Sequence, residues 1–317
     1  MFDVTAIGEL LIDFTPAQIG GEAGFLPKPG GAPANVAAAV CRLGGKSAFI
    51  GKVGKDQFGQ FLKGVLDSER VDTSGLVMDT AFPTTLAFVH LDEQGERSFS
   101  FYRKLSADTR LQQNELDLGL IEQSKILHFG SVSLTDSPSK ETVLYAAEYA
   151  KKNGVLVSYD PNYRPLLWDN METAVSAMRE GLRLADIVKV SGEEMELITG
   201  EKDLAAGTQA LAEYGAKLVV VTLGADGAFF RYREYTADIP TITDNIKVVD
   251  TNGAGDAFFG GLLYFLTRSE SPLEQSKAEM ISAIRFANAA GALTVTNYGA
   301  IPAMPTLETV KNALFRE

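Results

Sequence analysis

The chain has 317 residues, of which 45% are hydrophobic and 22% charged, and its formal net charge is −12. It is long enough to bury a large core, and an acidic chain without a basic run argues against a nucleic acid or an anionic membrane surface as partner. The one cysteine, Cys41, excludes an intramolecular disulfide, no apolar run reaches membrane-spanning length, and the first residues lack a signal-peptide pattern. We therefore expect a cytoplasmic protein that binds small molecules.

Short β-branched or apolar runs alternate along the chain with segments whose apolar residues recur at three- and four-residue spacing. The predicted strands are residues 4–7, 47–53, 126–129, 156–159, 187–190 and 218–222. The predicted helices are residues 34–43, 57–66, 140–152, 173–184, 204–214, 256–267 and 277–294. This alternation predicts an α/β fold, a mainly parallel sheet with helices on both faces, which binds ligands at the carboxyl ends of its strands.

Two segments interrupt the alternation, residues 10–28 and 84–103, since both have the pattern of β-structure without helices. The second contains a hairpin-like turn at residues 92–96. We expect the two segments to form a small sheet beside the main one, inserted in a single domain that spans residues 1–317. Such a sheet exposes an apolar face unless it closes over a ligand or pairs with another subunit.

Residues 249–261, VDTNGAGDAFFGG, carry the clearest chemical signal. A β-rich segment at residues 246–249 leads into them and apolar residues at helical spacing follow, so the glycines lie at the start of a helix. The first N–H groups of a helix lack intrahelical partners and the helix dipole is positive there, so an anion can bind without a lysine. Asp256 falls in the first turn, where a helix-capping carboxylate is the alternative to a catalytic one.

Two segments, PGGAPANVA at residues 29–37 and DTNGAGD at residues 250–256, resemble in order and separation the two signature regions of the ribokinase-like (PfkB-type) carbohydrate kinases. Further matching segments are residues 8–14, 49–59, 101–103, 159–164 and 286–291, and together they are most similar to the fructokinase branch. The resemblance implies a three-layer α/β/α sandwich with a small β-sheet lid, often a dimerisation surface. It also implies transfer of the γ-phosphoryl group of ATP to a monosaccharide hydroxyl, with D-fructose giving fructose 6-phosphate.

The resemblance assigns the catalytic and sugar-binding residues. Asp256 matches the family's catalytic base. The residues whose backbone N–H groups match its anion hole are Gly253, Ala254 and Gly255. The residues that match sugar ligands or reach the sugar site are Asp13, Gly30, Gly31, Asn35, Phe101, Arg103, Asp160 and Arg164. Each residue also has an alternative interpretation when it is taken singly. Asp13 could simply end a strand, Gly30 and Gly31 could form a turn, Asn35 could start a helix, and the arginines could lie on the surface.

The resemblance also assigns residues to the nucleotide and to cations. Those that match the nucleotide loop and the position beside the base are Thr222, Gly224, Gly227 and Asn288. Ser191 and Glu194 stand at the place of the Asn-x-x-Glu element, whose acid helps to organise Mg²⁺ and phosphate through water. Ser191 departs from the Asn of this element, and an acidic helix start is the alternative for Glu194. The residues at the places of a K⁺ site are Asp250, Asn252, Thr294, Asn297 and Gly299. Because Asn252 and Ala303 depart from the usual Thr and Ser, the sequence does not decide whether K⁺ activates.

Two other functions stay open at this point. A 2-keto-3-deoxygluconate kinase shares the fold and the Phe-Tyr-Arg element, and Arg103 or Arg164 could bind its substrate carboxylate. A non-catalytic sugar-binding regulator would be expected to have lost Asp256 or the glycines, and neither is lost. The expected partners are a sugar, ATP, Mg²⁺ and a second copy of the chain paired through the β lid, with no nucleic acid and no membrane.

Overall fold

The computed structural model describes residues 1–91, 97–243 and 246–315, without the side chains of residues 19, 91 and 97–99. The predicted turn at residues 92–96 therefore lies outside the described residues. The strands in the described ranges are β1 (Phe2–Ile7), β2 (Leu11–Ile19), β3 (Glu22–Gly30), β4 (Ser47–Gly54), β5 (Asp72–Asp79), β6 (Leu86–Leu91), β7 (Arg97–Tyr102), β8 (Ser124–Gly130), β9 (Leu156–Asp160), β10 (Ile187–Ser191), β11 (Leu218–Thr222), β12 (Ala228–Tyr232) and β13 (Tyr235–Ile239).

The helices in the same ranges alternate with these strands. They are α1 (Ala32–Arg42), α2 (Gln57–Ser68), α3 (Leu118–Glu122), α4 (Ser139–Lys152), α5 (Met171–Leu182), α6 (Gly192–Thr199), α7 (Leu204–Ala212), α8 (Ala254–Leu266), α9 (Lys277–Thr294) and α10 (Leu307–Leu314). Across the described part of the chain, no helix combines the length and the apolar character needed to cross a membrane.

Nine of the strands form one sheet in the order β13-β12-β11-β10-β9-β8-β1-β4-β5. The strands from β11 to β5 pair in parallel, whereas β12 and β13 add an antiparallel hairpin at one edge. Strand β4 is buried at every position, as expected for a parallel sheet covered on both faces. The mainly parallel α/β sheet predicted from the sequence is confirmed.

Helices cover both faces of this sheet and make it the middle layer of an α/β/α sandwich. On one face, Phe129 and Tyr159 pack in a cluster that includes residues of α4 and α5. On the other, Val4 packs with residues of α1, α8 and α9. Neighbouring residues of β10 pack on opposite faces of the sheet, because side chains alternate along a strand. Ile187 belongs to the cluster that contains Val4, and Val188 belongs to the cluster that contains Phe129.

The small sheet has the order β3-β2-β6-β7, so both predicted helix-free segments contribute to it. One face carries a row of aromatic rings, with Phe88 stacked on Phe14 at 4.7 Å and in edge contact with Phe25 at 5.3 Å. Phe25 and Tyr102, another ring in contact with Phe88, are 39% and 65% exposed. The opposite face includes the buried Ala87 and turns toward the cavities described below.

Some elements were not predicted, namely β5, β12, β13, α3, α6 and α10. Helix α6 has eight residues and begins directly where β10 ends, so its short pattern is hidden by the strand before it. The prediction of a β-rich segment at residues 246–249 is wrong, since no strand forms there. The N–H groups of Val249 and Asp250 instead bind the carbonyl oxygen of Val295, at the end of α9, at 2.8 and 3.2 Å.

Candidate active site

The carboxyl ends of the parallel strands meet at one edge of the main sheet, where β1 leads into Glu9, β9 ends at Asp160 and β11 ends at Thr222. Three adjoining cavities lie there: a large one of about 480 Å³, a middle one of about 420 Å³ and an inner one of about 80 Å³. Gly255 borders both the large and the middle cavity, and Asp256 borders both the middle and the inner one. The start of α8 therefore lies where the three cavities join.

The start of α8 is shaped by backbone geometry and not by a capping side chain. Its N-cap residue Gly253 has a φ of 77°, and no side chain caps the helix. The first-turn N–H groups can therefore serve an anion in the middle cavity, which Gly253 and Gly255 line. A Cβ at residue 253 would lie 2.6 Å from the Cβ of Ala300, so both the dihedral angle and the available space require glycine.

Asp256 lies in the first turn of α8 and is 8% exposed. Its Oδ2 accepts a 2.8 Å hydrogen bond from Nδ2 of Asn35 in α1, so this bond ties it to another helix. Burial raises the pKa of Asp256 above its ordinary value of 3.8, and the Asn35 hydrogen bond and the charges of Lys189 and Arg164 offset part of that rise. The hydrogen bond from Asn35 therefore orients one carboxylate oxygen of Asp256 beside the cavities.

The inner cavity is lined by polar side chains from the small sheet, from helices and from loops. Asp13 comes from β2 of the small sheet, Asn35 from α1, and Arg164 from the loop after β9. Burial raises the pKa of Asp13 from 3.8 to about 6; Arg164 lowers it and Asp256 raises it. Oδ1 of Asn35 is buried and has no hydrogen-bond partner within the described residues, so it can accept from a ligand hydroxyl. Paired donors and acceptors in a confined space suit a polyhydroxylated molecule.

The large cavity is mostly apolar. Ile242, Val248 and Phe258 contribute to its walls. The lining residues at or just after the end of β11 are Thr222, Gly224 and Gly227. Asn288 in α9 donates from Nδ2 to the carbonyl oxygen of Ile239 at 2.9 Å, and so fixes the chain segment that forms one wall. An apolar slot that opens toward a helix N-terminus suits a flat aromatic base that carries phosphates.

Comparison with known proteins agrees with this geometry. Residues 1–307 match the family described as pfkB family carbohydrate kinase. This chain belongs to the PfkB family of carbohydrate kinases. Among curated relatives, it is 45% identical over 308 residues to probable fructokinase-2 of Arabidopsis thaliana, which covers 96% of this chain and 93% of that protein.

Solved structures resemble this PfkB kinase along almost its whole length. A fructokinase with bound ATP from Xylella fastidiosa superimposes with a TM-score of 0.93 at 38% identity, covering 100% of this chain and 99% of the other. A double mutant of the fructokinase from Vibrio cholerae O395, in fructose, ADP and potassium ion bound form, gives a TM-score of 0.89 at 38% identity, covering 98% and 97%. The expected ribokinase-like fold is confirmed.

In this PfkB kinase many of the predicted site residues line a cavity. They are Asp256, Gly253, Ala254, Gly255, Asp13, Gly31, Asn35, Phe101, Arg164, Asn252, Thr222, Gly224, Gly227 and Asn288. The predicted residues that line none of the three cavities are Gly30, Arg103, Asp160, Ser191, Glu194, Asp250, Thr294, Asn297 and Gly299. Gly30 still matters for the inner cavity, because a Cβ there would lie 2.3 Å from Oδ2 of Asp13.

Arg103 is 5% exposed and its guanidinium is bound by protein groups. Nε donates to Oδ2 of Asp108 at 2.7 Å, and Nη2 donates to the carbonyl oxygen of Val132 at 3.0 Å. Val132 lines the inner cavity, whereas Arg103 does not. The structure therefore places this predicted sugar ligand behind the cavity wall.

Ser191 and Glu194 form the first turn of α6. Ser191 is its N-cap, and the backbone N–H of Ser191 donates to Oε2 of Glu194 at 2.8 Å in a capping box. Oε1 of Glu194 accepts from the N–H of Tyr163 at 2.7 Å, next to Arg164. The acidic helix start that the sequence left as an alternative is present, and Glu194 connects it to the loop that carries a cavity residue.

Part of the predicted cation-site set is brought together. Oδ1 of Asp250 accepts from the N–H of Asn252, and Oδ2 from the N–H of Gly299, each at 3.0 Å. Thr294 instead donates to a carbonyl oxygen of its own helix at 2.9 Å, and Asn297 is exposed. Over the part of the chain that the structure describes, no group of three or more His, Cys, Asp or Glu side chains could hold a metal ion.

Two charged residues that line the cavities were not predicted as site residues. Glu9 lines the inner cavity, accepts from the N–H of Ala32 at 3.2 Å and from Oγ of Ser133 at 2.8 Å, and so holds the start of α1. Lys189 lines the middle cavity. A signal for Lys189 was available, because a charged residue inside the apolar run of a buried strand needs a partner or a ligand.

Proposed function

We propose that this PfkB kinase transfers the γ-phosphoryl group of ATP to D-fructose and forms fructose 6-phosphate. One observation carries the proposal: Asp256 borders both the middle cavity at the start of α8 and the inner cavity that Asp13 and Asn35 line. A base between an anion site and a hydroxyl-binding site is what phosphoryl transfer to an alcohol requires. The similarity to fructokinases over nearly the whole chain supports fructose as the sugar.

The chemical step proposed for these residues needs no covalent intermediate. A sugar hydroxyl loses its proton to Asp256 while its oxygen bonds to the γ-phosphorus and the bond to the β,γ-bridging oxygen breaks. The N–H groups at Gly253 and Gly255 would stabilise the negative charge that develops. Asn35 would hold the Asp256 carboxylate in the orientation needed for the proton.

Sugar recognition is proposed for the residues of the inner cavity. Asp13 and the free Oδ1 of Asn35 would accept hydroxyl protons, and Gly31 would allow the sugar to approach the backbone. Phe101 would cover it from the small sheet. Arg103 and Asp160 would act indirectly, through Val132 and through Lys189.

The charge of the inner cavity favours a neutral sugar over 2-keto-3-deoxygluconate. Its lining includes three acids, Glu9, Asp13 and Asp256, and a single basic residue, Arg164. Arg103, the other arginine considered for a substrate carboxylate, is bound to Asp108. These acids would therefore repel the carboxylate of 2-keto-3-deoxygluconate, whereas they would not repel a sugar hydroxyl.

Nucleotide and cation sites complete the proposal. We assign the base to the large cavity, beside Asn288 and the turn at Gly224 and Gly227. Mg²⁺ would be held mainly by phosphates and water, with Glu194 acting through water. K⁺ would be held beside Asp250, where the backbone of residues 252 and 299 converges, and it would contribute a positive charge near the anion site. The cytoplasmic location stays a prediction from the sequence.

We also propose that residues 1–317 form one domain in which the small sheet acts as a lid and pairs two copies of the chain. Its aromatic face, with Phe25 and Tyr102 exposed, supports a homodimer because a monomer would leave those rings in water.

An ATP-coupled phosphorylation screen tests the function. Purified protein is offered fructose, ribose, 2-keto-3-deoxygluconate and a nucleoside, and the product is identified by mass and by the position of its phosphate. We expect fructose 6-phosphate with the highest kcat/KM. The matched control is Asp256→Asn, which should bind fructose normally and lose about 10²–10⁴-fold in kcat. Preference for 2-keto-3-deoxygluconate, or normal turnover by the Asn variant, would contradict the proposal.

A further inference from the structure

Lys189 lies in the middle of β10, where its neighbours along and across the strand are apolar. It is 7% exposed, Val188 and Val190 on either side are fully buried, and its partner in β11 is Val220. Burying an ammonium group without compensation is costly, so a lysine at this position needs a charge partner or a ligand.

Asp160, at the end of the adjacent strand β9, supplies the partner. Nζ of Lys189 donates to Oδ2 of Asp160 at 2.8 Å, and this is its one hydrogen bond among the residues that the structure describes. An ammonium group has three N–H donors, so two remain for a ligand. Burial alone would lower the pKa of Lys189, but Asp160 and Glu194 raise it above 10.5, and the side chain is charged.

The ammonium lies against the anion-binding turn. Lys189 lines the middle cavity together with Gly253 and Gly255. A Cβ added to Gly255 would lie 3.1 Å from Nζ of Lys189, tighter than an ordinary contact. Glycine at position 255 therefore leaves room for the ammonium group as well as for the phosphate.

The charges around this point explain why a cation is needed. Acids from three elements face Lys189, namely Asp160 of β9, Glu194 of α6 and Asp256 of α8. His128 of β8 is neutral, because burial and the Lys189 charge lower its pKa to about 3. Arg164 borders the cavity from the loop after β9. An anionic phosphoryl group entering among three carboxylates needs a fixed positive charge close to its oxygens.

We propose that Lys189 binds the phosphoryl group under transfer, together with the N–H groups at the start of α8, while Asp160 holds the ammonium in place. The inference rests on the proposed kinase function and adds a residue to it. Lys189 and α8 approach the middle cavity from different elements, so they would contact different oxygens of the group. Because charge on those oxygens builds up during transfer, loss of Lys189 should lower kcat more than it raises the KM for fructose.

Three variants separate phosphate binding from a merely structural pairing with Asp160. Lys189→Met leaves a buried acid unpaired, and we expect kcat to fall about 10²-fold or more. Lys189→Arg keeps the charge and should recover part of that loss. Lys189→Met combined with Asp160→Asn removes both charges, so its urea midpoint should return toward that of the wild type.

The decisive readout is kcat of the double variant. If Lys189 binds the phosphoryl group, kcat stays low although stability recovers. Recovery of kcat to within about fivefold of the wild type would overturn the inference and leave Lys189 as a neutraliser of Asp160.

A binding measurement keeps this inference distinct from the kinase proposal. Should the wild type phosphorylate no sugar, the proposed function fails, but calorimetric titration of Lys189→Met with AMP-PNP and with ADP still tests the residue. Weakening of AMP-PNP binding by about tenfold more than ADP binding supports a contact with the terminal phosphate. Equal or no weakening for the two nucleotides overturns it.

Discussion

At the scale of single residues, the site is defined by carboxylates held in unfavourable surroundings. Burial raises the pKa of Asp13 to about 6 and raises the pKa of Asp256 and Glu9 above their ordinary values. Asn35 donates a compensating hydrogen bond to Asp256 and Ser133 one to Glu9, while the charge of Arg164 lowers the pKa of Asp13. Buried carboxyl groups with raised pKa values at a cavity are typical of functional sites, and they cost stability.

Asn35→Ala is expected to move the acidic limb of the kcat–pH profile to higher pH. The Asn35 hydrogen bond favours the ionised form of Asp256, so its loss raises the pKa of Asp256 and the base is protonated sooner as pH falls. Lys189 and Arg164, which also favour the ionised form, are unchanged in this variant. Turnover at saturating fructose and ATP measures the effect, and a limb at the wild-type position would contradict it.

Asp13→Asn is expected to stabilise the ligand-free protein at alkaline pH while weakening fructose binding. The pKa of Asp13 in the folded protein is about 6, above the ordinary value of 3.8. The stability that protonated Asp13 contributes is therefore fully present below pH 3.8 and is lost as the pH rises through about 6. Asparagine never ionises. The gain should be about 1–2 kcal/mol at about pH 8, after allowing for partial exposure, and close to nothing below about pH 4. Urea unfolding at both pH values decides, and an equal gain at both would argue against this cause.

At the scale of elements, the two helices that start at the cavities differ from most of the others. Seven helices, α2, α3, α5, α6, α7, α9 and α10, begin at a residue whose side chain caps them. In contrast, α1 and α8 begin at Gly31 and Gly253, both with positive φ and without a capping side chain. At α1 the N–H of Ala32 instead donates to Glu9 at 3.2 Å, and Gly31 keeps the backbone beside the inner cavity free of a side chain. At α8 the first-turn N–H groups are open to a ligand, which explains the glycine at residue 253.

Gly253→Ala is expected to impair the α8 start without unfolding the protein. The added Cβ would meet Ala300 at 2.6 Å and adopt an unfavourable φ, so the N–H groups should shift and kcat should fall about 10²–10³-fold. The matched control is Gly64→Ala in α2, where no atom lies within 4 Å of the added Cβ. That variant should keep its activity and gain roughly 0.5–1 kcal/mol of stability. Similar behaviour of the two variants in turnover assays would refute the prediction.

At the scale of the whole molecule, the two faces of the small sheet differ in their surroundings. One face carries Asp13 and Phe101 over the inner cavity. The other presents Phe25, Phe88 and Tyr102, with Phe25 and Tyr102 exposed. If two copies pair through the second face, the first is held over the sugar site, so assembly and substrate binding become connected.

Phe25→Glu is expected to convert the proposed dimer into monomers, because a carboxylate would replace an apolar contact at the interface. Sedimentation velocity measures the mass. The control is Tyr145→Glu in α4, a residue of similar exposure, 36% against 39%, on a helix of the main layers. Dissociation caused by both substitutions, or by neither, would remove the support for pairing through the small sheet.

The sequence predicted the layered fold best where periodicity was strong. The bounds of β11 and α9 agree with the predicted residues 218–222 and 277–294. Short elements such as α6 and the edge hairpin of β12 and β13 were missed, since a few residues carry too little periodic pattern to separate from their neighbours. The segment at residues 246–249 has strand-like composition, but it lies against α9 and pairs with no strand.

What the sequence by itself determined is local: the alternation of elements, the glycine turn before Asp256 and the motifs that indicate the kinase family. What the tertiary structure decided is which side chains meet, because contacts such as Asn35 with Asp256, 221 residues apart, depend on the packing of distant elements. The packing of distant elements also places Arg103 behind the wall of the inner cavity and Lys189 at the middle cavity. Burial and charge act through space, so a residue's role at this site follows from its neighbours in three dimensions, which its position along the chain does not specify.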